Sequence, residues 1–157
     1  MHRIDKIINN PQYNHCLSLI KEREHDRIFC RHDFAHFLDT ARIAYIIAKE
    51  KGFNYTKEII YSAALLHDIG KWKEYDKNIP HEIASAEIAE SILNDIGFCD
   101  DDIYVIKKAI CLHREENATG LGALLFLADK KSRICYLCNV SSNCKWNDEK
   151  KNKNFFY

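Results

Sequence analysis

TKEIIYSAALLHDIGK, residues 56–71, is the stretch that decides the fold, because its helical apolar pattern ends in two metal-ligand residues. Both His67 and Asp68 lie on helix faces that carry Ile60 and alanines at helical spacing. An otherwise apolar face points into a core, and a buried imidazole or carboxylate without a partner costs on the order of several kcal/mol. Gly70 then ends the helix, so the sequence predicts two buried polar side chains at a helix terminus, near the mouth of a site.

Four other apolar helical stripes run into a residue of the same kind. His36 shares a face with Ile43 and Ile47, and His113 continues the stripe of Ile106 and Ile110. The free-energy cost of burying so many polar groups is lowest if they converge on one site and share metal ions. The alternative for each of them is a hydrogen-bonded core residue without a ligand. The predicted metal ligands are His36, His67, Asp68, His81, His113 and Asp129.

The same periodicity predicts an all-α, single-domain helical bundle with the metal site in its core. A length of 157 residues suits one domain, and no alternating strand pattern of useful length occurs. Gly52, Gly70 and Gly97 each follow an apolar-periodic stretch, where a left-handed cap is expected. We predict helices near residues 11–26, 33–51, 56–69, 81–96, 101–115 and 120–133.

Composition argues against several classes of function. The 23 basic and 23 acidic residues balance, so there is no strong signal for a nucleic-acid surface. No apolar run approaches the roughly 20 residues of a membrane span. The N-terminus lacks the apolar segment of a secretory signal, so we expect a cytoplasmic location with reduced cysteines.

The predicted ligands define a chemistry. Imidazole and carboxylate without thiolate suit iron, manganese, zinc or similar divalent ions. The carboxylate of Asp68, adjacent to His67, could bridge two ions, and two ions roughly 3.5–4 Å apart can clamp a phosphoryl group and activate a water. Lys71 and Arg133 could meet the phosphate, the lysine as a point charge and the arginine through two hydrogen bonds. The alternatives are a solvated helix-end cation for Lys71 and a surface ion pair for Arg133.

The order of these residues resembles the signature of the HD-domain metal-dependent phosphohydrolase superfamily. The strings that carry the resemblance are HFLDTARIAYIIA at His36, AALLHDIGK at His67-Asp68 and LLFLADKKSR at Asp129. The resemblance extends over roughly residues 28–133. It implies an HD-type helical bundle in which these four residues bind one metal ion.

Two further segments look like family elements that supply additional ligands. PHEIASAEIAESIL would contribute His81 and ICLHRE would contribute His113, and members with both tend to hold two ions, often iron. Within the superfamily, the pattern is most similar to the branch that hydrolyses dinucleoside tetraphosphates symmetrically. The resemblance therefore implies a small phosphorylated substrate, a nucleotide or another phosphoester.

We therefore predict a metal-dependent phosphohydrolase in which a metal-activated water attacks phosphorus. Asp68 would bridge the ions and receive the water's proton, and Lys71 and Arg133 would offset the developing charge. The alternative is a nucleotide-binding or redox-regulatory module of the same fold with little turnover.

A second His-Asp dipeptide, His32-Asp33, lies in RHDFAHF and lacks the helix-ending glycine that follows the first. His32 lies one turn before His36, so it could line the mouth of the site and donate to the substrate phosphate. The alternative assigns the dipeptide to the helix start, with Asp33 as the cap.

The C-terminal extension, residues 134–157, is rich in cysteine and is predicted to be part of the same domain as the HD-type helical region, residues 1–133. Its three cysteines have the spacing C-x2-C-x5-C, and a fourth precedes RHDFAH. Such thiols could hold zinc or an iron–sulfur cluster, and the alternative is reduced thiols in an irregular segment. The terminal residues Phe155, Phe156 and Tyr157 could pack on the body of the domain or on a second subunit, as in a homodimer. The candidate ligands are Cys30, Cys135, Cys138 and Cys144.

Overall fold

The computed structural model describes residues 2–155 and 157, and all regular secondary structure in this part of the chain is helical, as predicted. Two short 3₁₀ turns, Cys135–Leu137 and Ser141–Asn143, follow the last α-helix. The α-helices in chain order are α1 (His2–Ile8), α2 (Pro11–Arg23), α3 (Phe34–Glu50), α4 (Lys57–Leu66), α5 (Lys71–Lys77), α6 (His81–Asp95), α7 (Asp100–Leu112) and α8 (Gly120–Lys131).

Five helices enclose the core. Helix α3 packs on α4 and α8, α7 packs on α6 and α8, and α4 also contacts α7. The buried faces carry the large apolar side chains that the periodicity indicated. The fully buried ones include Phe37, Ile47, Ile60, Leu65, Ile92, Leu93 and Ile106.

The six predicted helices each begin within one residue of the predicted start and end one to three residues earlier. Side chains at the helix starts explain the agreement there. Asn10 accepts hydrogen bonds from two backbone N–H groups of α2, Asp33 caps α3 by accepting from the N–H of His36 (2.9 Å), and Thr56 caps α4. Asp33 therefore caps α3, and the substrate contact of His32 stays a prediction.

Two short helices were not predicted. Helix α5 has no buried residue among its seven, so its sequence KWKEYDK carries no apolar stripe that could be recognised. Helix α1 also has seven residues and buries only Ile4 and Ile7.

The expectation of a left-handed cap is correct for Gly52 (φ 71°) and Gly97 (φ 82°) and wrong for Gly70 (φ −89°). Gly70 is needed for close packing instead. A Cβ there would lie 2.4 Å from the backbone nitrogen of Ser85 on α6, and the Gly70 N–H donates to the Ser85 hydroxyl at 2.9 Å. The end of α4 is thereby fixed against the start of α6.

Within residues 2–155 and 157, no helix is both long enough and apolar enough to cross a lipid bilayer. At the C-terminus, Phe155 is 74% exposed and Tyr157 packs against the core. Phe156 lies outside the described residues. The homodimer and the division of the chain at residue 133 stay predictions.

Replacing Gly70 with alanine should destabilise the fold by about 2–3 kcal/mol, because a backbone atom of α6 blocks the added methyl group. The control is Gly97→Ala, which meets open space and should cost roughly 1 kcal/mol through its positive φ alone. Urea unfolding followed by circular dichroism measures both losses. Equal losses in the two variants would show that the contact between α4 and α6 is not tight.

Candidate metal centre

The structure brings the six predicted ligands together from five separate helices. Asp68 lies at the centre, immediately after the end of α4, and its carboxylate belongs to two groups of donor atoms. Within each group, one donor atom per residue lies within 4.8 Å of every other. The first group is His36, His67, Asp68 and Asp129, and the second is Asp68, His81 and His113.

The imidazole Nε2 atoms all face the two carboxylates. In the first group, Nε2 of His36 lies 3.1 Å from Oδ1 of Asp129, and Nε2 of His67 lies 3.3 Å from Oδ2 of Asp68. In the second group, Oδ1 of Asp68 lies 3.1 Å from Nε2 of His81 and 3.5 Å from Nε2 of His113. Each Asp68 oxygen therefore serves one group.

The other ring nitrogen of each histidine is held by the protein. Nδ1 of His67 donates to the carbonyl of Ala64 and Nδ1 of His113 donates to the carbonyl of Ile110, both at 2.6 Å. A carbonyl only accepts, so the proton of the neutral ring is fixed on Nδ1 and the lone pair of Nε2 points into the centre.

Side chains hold the remaining two rings. Ser132 donates its proton to the carbonyl of Asp129 (2.6 Å), so its oxygen is free to accept from Nδ1 of His36 at 3.0 Å. Nδ1 of His81 lies 3.1 Å from the carboxylate of Glu74 on α5. All four rings thus present Nε2 to the two carboxylates.

Three buried atoms of the centre have no hydrogen-bond partner: Nε2 of His36, Nε2 of His67 and Oδ1 of Asp68. Each such atom costs roughly 1–3 kcal/mol when it is left unsatisfied. Three orphaned lone-pair atoms in one cluster fit a cation better than any further hydrogen bond. The donor set is nitrogen and oxygen only, which suits iron, manganese or zinc. The site could hold one divalent ion in each group, with Asp68 shared.

Electrostatics within the cluster keep both carboxylates charged. Burial opposes this, but the imidazoles of His67, His113 and His81 hold the pKa of Asp68 well below its usual range. The pKa of Asp129 is likewise well below its usual range, because His36, His67 and Arg133 outweigh its burial.

The pKa values of the two histidines of the first group are shifted in opposite directions. Burial lowers the pKa of His36 to about 4. Burial also acts on His67, but Asp68 and Asp129 outweigh it and raise the pKa of His67 to about 10. Without a metal ion, a proton on His67 therefore provides the positive charge that the carboxylates need.

The predicted substrate-binding residues lie at the rim of the cluster. Nζ of Lys71 forms an ion pair with Glu74 and lies 3.1 Å from Nδ1 of His81. Arg133 is 8% exposed and donates to both Asp129 (3.2 Å) and the carbonyl of Arg31 (3.1 Å), so it is not a surface ion pair.

His32 also lies at the rim, with Nε2 3.7 Å from Oδ2 of Asp68. Its backbone N–H donates to Glu24 at 2.7 Å, and its Nδ1 contacts the second oxygen of the same carboxylate. Glu24 is 2% exposed and also accepts from the hydroxyl of Tyr75 at 2.6 Å. The pKa of Glu24 is about 2, because these hydrogen bonds and the charge of His32 outweigh its burial.

Sequence reasoning missed three side chains that orient the ligands. Ser132 lies three residues after Asp129 on the same helical face, so the spacing of the last helix could have revealed it. Glu24 and Glu74 could not have been found, because each lies in a charged segment without a pattern and makes its contact across the loop that follows its helix.

All four candidate cysteine ligands are free thiols; Cys30 is exposed and the other three are partly buried. In the described part of the chain, no three of these sulfurs approach within 4.8 Å of one another, as the histidine and aspartate atoms do.

Comparisons with known proteins identify the family and the fold of this chain. The family model of the HD domain matches residues 33–134. An uncharacterized protein of Clostridium beijerinckii is 43% identical over the whole length of both chains. Ribonuclease Y of Mycoplasma mycoides is 31% identical over 99 residues, which span 62% of this chain and 21% of that protein. The crystal structure of a predicted HD superfamily hydrolase from an uncultured Thermotogales bacterium has a TM-score of 0.67 at 24% identity, covering 89% of this chain and 79% of that one.

Metal binding should release a proton. The pKa of His67 is about 10 in the metal-free protein, so a divalent ion must displace its proton at neutral pH. Affinity for Mn²⁺ should therefore rise about tenfold per pH unit between pH 6 and 8 for each proton released. Calorimetric titration in buffers of different ionisation enthalpy counts the protons. His25→Ala, at an 84% exposed histidine outside the site, is the control. An affinity independent of pH would contradict the assignment of His67 as a ligand.

Proposed function

The chain belongs to the HD-domain family, and we propose that it is a metal-dependent phosphohydrolase that cleaves a phosphoester or phosphoanhydride of a small substrate with water. The observation that carries this proposal is the pair of donor groups that share Asp68 and leave three buried atoms without hydrogen-bond partners. A domain that only bound nucleotides would have no need of such a cluster.

In this proposal each donor group would hold one divalent ion, iron or manganese. One ion would be held by His36, His67, Asp68 and Asp129, and the other by Asp68, His81 and His113. When bound, such ions polarise phosphoryl oxygens and lower the pKa of a water molecule.

The protein's own residues complete the chemistry. Asp68 is charged and central, so it orients the attacking water and can receive its proton. Arg133 is anchored through Asp129 and the carbonyl of Arg31, which fixes its guanidinium without consuming all five of its N–H donors. These donors offset charge on the phosphoryl oxygens. Lys71 adds a positive charge beside His81.

In this proposal His32 protonates the leaving group. The Glu24 carboxylate accepts from Nδ1 and would stabilise the doubly protonated ring, whose Nε2–H would face the cluster next to Asp68. A proton donated from Nε2 to the departing oxygen makes that oxygen a better leaving group. This role extends the predicted contact between His32 and the substrate phosphate.

A cavity of about 450 Å³ next to His32 has the size to receive the rest of the substrate. Phe34 and Leu17 give it apolar walls, Lys21 and Arg31 add positive charge, and Glu24 and Asp33, both engaged in hydrogen bonds, add carboxylates. A planar base with an attached phosphate chain matches this lining, since bases pack on apolar surfaces and phosphates on cations. We therefore favour a nucleotide as substrate, with a dinucleoside tetraphosphate as one candidate.

The similarity to ribonuclease Y adds phosphodiesters of RNA to the bonds worth testing. The balanced formal charge of the chain favours a small substrate over a long polyanion. A binding or regulatory module with little turnover is the competing proposal, and nucleotide binding without phosphate release would favour it.

Asp68→Asn should reduce hydrolysis at least 1,000-fold, because the shared carboxylate loses both its charge and its capacity to accept a proton. The measurement is phosphate or nucleotide release from a panel of nucleoside phosphates, dinucleoside polyphosphates and a short RNA, with Mn²⁺ or Fe²⁺. Asp76→Asn, which removes an ion pair with Arg23 outside the site, is the matched control. Near-normal turnover by metal-loaded Asp68→Asn on every substrate of the parent would refute the proposed function.

His32→Gln and Glu24→Gln should lower kcat on a nucleotide substrate by about 100-fold, the usual contribution of a general acid. Both should lower kcat by no more than about threefold on a p-nitrophenyl phosphodiester, whose leaving group departs without a proton. Glu22→Gln, two residues from Glu24 and 77% exposed, is the control. Equal losses on both substrates would assign His32 to binding instead of proton transfer.

A further inference from the structure

In the C-terminal extension, residues 134–157, the described residues form no hydrophobic core of their own. None of the side chains described at 134–155 and 157 is buried, and the regular structure there consists of two three-residue 3₁₀ turns. Tyr136, Leu137 and Phe155 are exposed. Fixing the backbone of each residue costs roughly 1–2 kcal/mol, and a segment that buries so little apolar surface cannot offset that cost by packing.

Segments of this kind are usually held by disulfides or metal ions. The extension contains three cysteines in ten residues, at 135, 138 and 144, and all are free thiols. The two 3₁₀ turns lie between them. The N–H of Cys138 donates to the carbonyl of Cys135, and the N–H of Cys144 donates to the carbonyl of Ser141. The chain thus turns back at each cysteine instead of extending away.

Cys30 approaches this segment from the opposite end of the chain. Its thiol has a raised pKa, mainly through burial and with contributions from the nearby thiols of Cys135 and Cys138. Cys30 and Cys144 line the same cavity, of about 240 Å³, together with Phe29 and Trp146. All three cysteines of the extension therefore lie near Cys30.

Three cations lie near these thiols, although the net effect of the surroundings is still to raise the pKa of the Cys30 thiol. Arg133 lowers the pKa of Cys30, although burial dominates, and Arg27 and Lys145 line the shared cavity. Arg27 also donates to the carbonyl of Cys30 at 2.7 Å. These cations would offset the charge of several thiolates, which are the form in which cysteine binds metals.

We propose that Cys30, Cys135, Cys138 and Cys144 form a second metal centre, a four-thiolate site for a thiophilic metal. It is separate from the histidine and aspartate cluster and does not rest on the proposed hydrolase activity. Its role is to attach the extension to the loop between α2 and α3. That loop also carries His32, and Arg133 immediately precedes the extension. The cysteine centre therefore helps to hold both residues in position from outside the histidine and aspartate cluster.

The spacing of the thiols bears on whether this centre holds a zinc ion or an iron–sulfur cluster. Tetrahedral zinc with Zn–S bonds of about 2.3 Å places its sulfurs about 3.8 Å apart. Among the described cysteines, no three sulfurs lie within even 4.8 Å of one another. An iron–sulfur cluster accepts wider spacing, because its thiolates bind different iron atoms. The geometry favours the cluster, while zinc would require the four thiols to close in.

The test is the metal content of anaerobically purified protein, measured as iron, zinc and acid-labile sulfide together with the visible spectrum. The parent should hold either a cluster, with sulfide and a brown absorbance, or one zinc, in addition to any metal at the histidines. Cys30→Ser and Cys138→Ser should lose this metal, whereas Cys99→Ser, at an exposed cysteine on the far end of α7, should keep it. Asp68→Asn should also keep it, which separates this centre from the proposed active site.

Trypsin provides a second measurement that does not need a homogeneous metal content. Lys145, Lys150 and Lys153 lie in the extension, so cleavage there should be at least tenfold faster in Cys138→Ser or after chelation than in the parent. Circular dichroism checks that the helices stay intact. The proposal is overturned if Cys30→Ser and Cys138→Ser retain all the metal of the parent. It is also overturned if the parent has no such metal and its four thiols either titrate freely or form disulfides.

Discussion

The carboxylate of Asp68, charged and 3% exposed, is the constraint on which the rest of the centre depends. An isolated carboxylate in such a place would take up a proton, because its desolvation costs several kcal/mol. Three Nε2 atoms within 3.5 Å prevent this, and they come from the ends of α4, α6 and α7. Packing of these helices and formation of the site are therefore the same event, and Gly70 allows α4 and α6 to come close enough for it.

At two helix ends in this protein, a histidine side chain both bonds a backbone carbonyl and presents a ligand nitrogen to the centre. The last carbonyls of an α-helix have no partner within the helix. His67 follows α4 and bonds the carbonyl of Ala64, while His113 follows α7 and bonds the carbonyl of Ile110. Each histidine thus bonds a carbonyl of the last helical turn and fixes its own tautomer. The same local arrangement occurs at two helix ends, so the orientation of these ligands is encoded within three residues of chain.

Features that depend on residues close together in the sequence could be predicted from it. The six long helices and the burial of His67 and Asp68 follow from apolar spacing within single helices, and family resemblance adds which stripes meet. Glu24 could not be predicted, since its contact with His32 depends on how the loop after α2 folds back. Gly70 was misread because a glycine at a helix end usually marks a left-handed turn, whereas here the space is taken by α6. Contacts between helices leave no periodic trace in the sequence.

Charge balance links the number of ions to the kind of substrate. Asp68 and Asp129 together contribute two negative charges, and without metal these are matched by the protonated His67 and by Arg133. One divalent ion in place of the proton on His67 would leave the cluster with one net positive charge. A second ion would raise this to three, because His81 and His113 contribute no negative charge and Lys71 is already paired with Glu74. That excess must be met by an anion from outside, and a phosphate group is an anion that also carries the bond to be cleaved. A two-ion centre built on a single shared carboxylate therefore favours phosphorylated substrates by its charge alone, before any contact with the rest of the substrate.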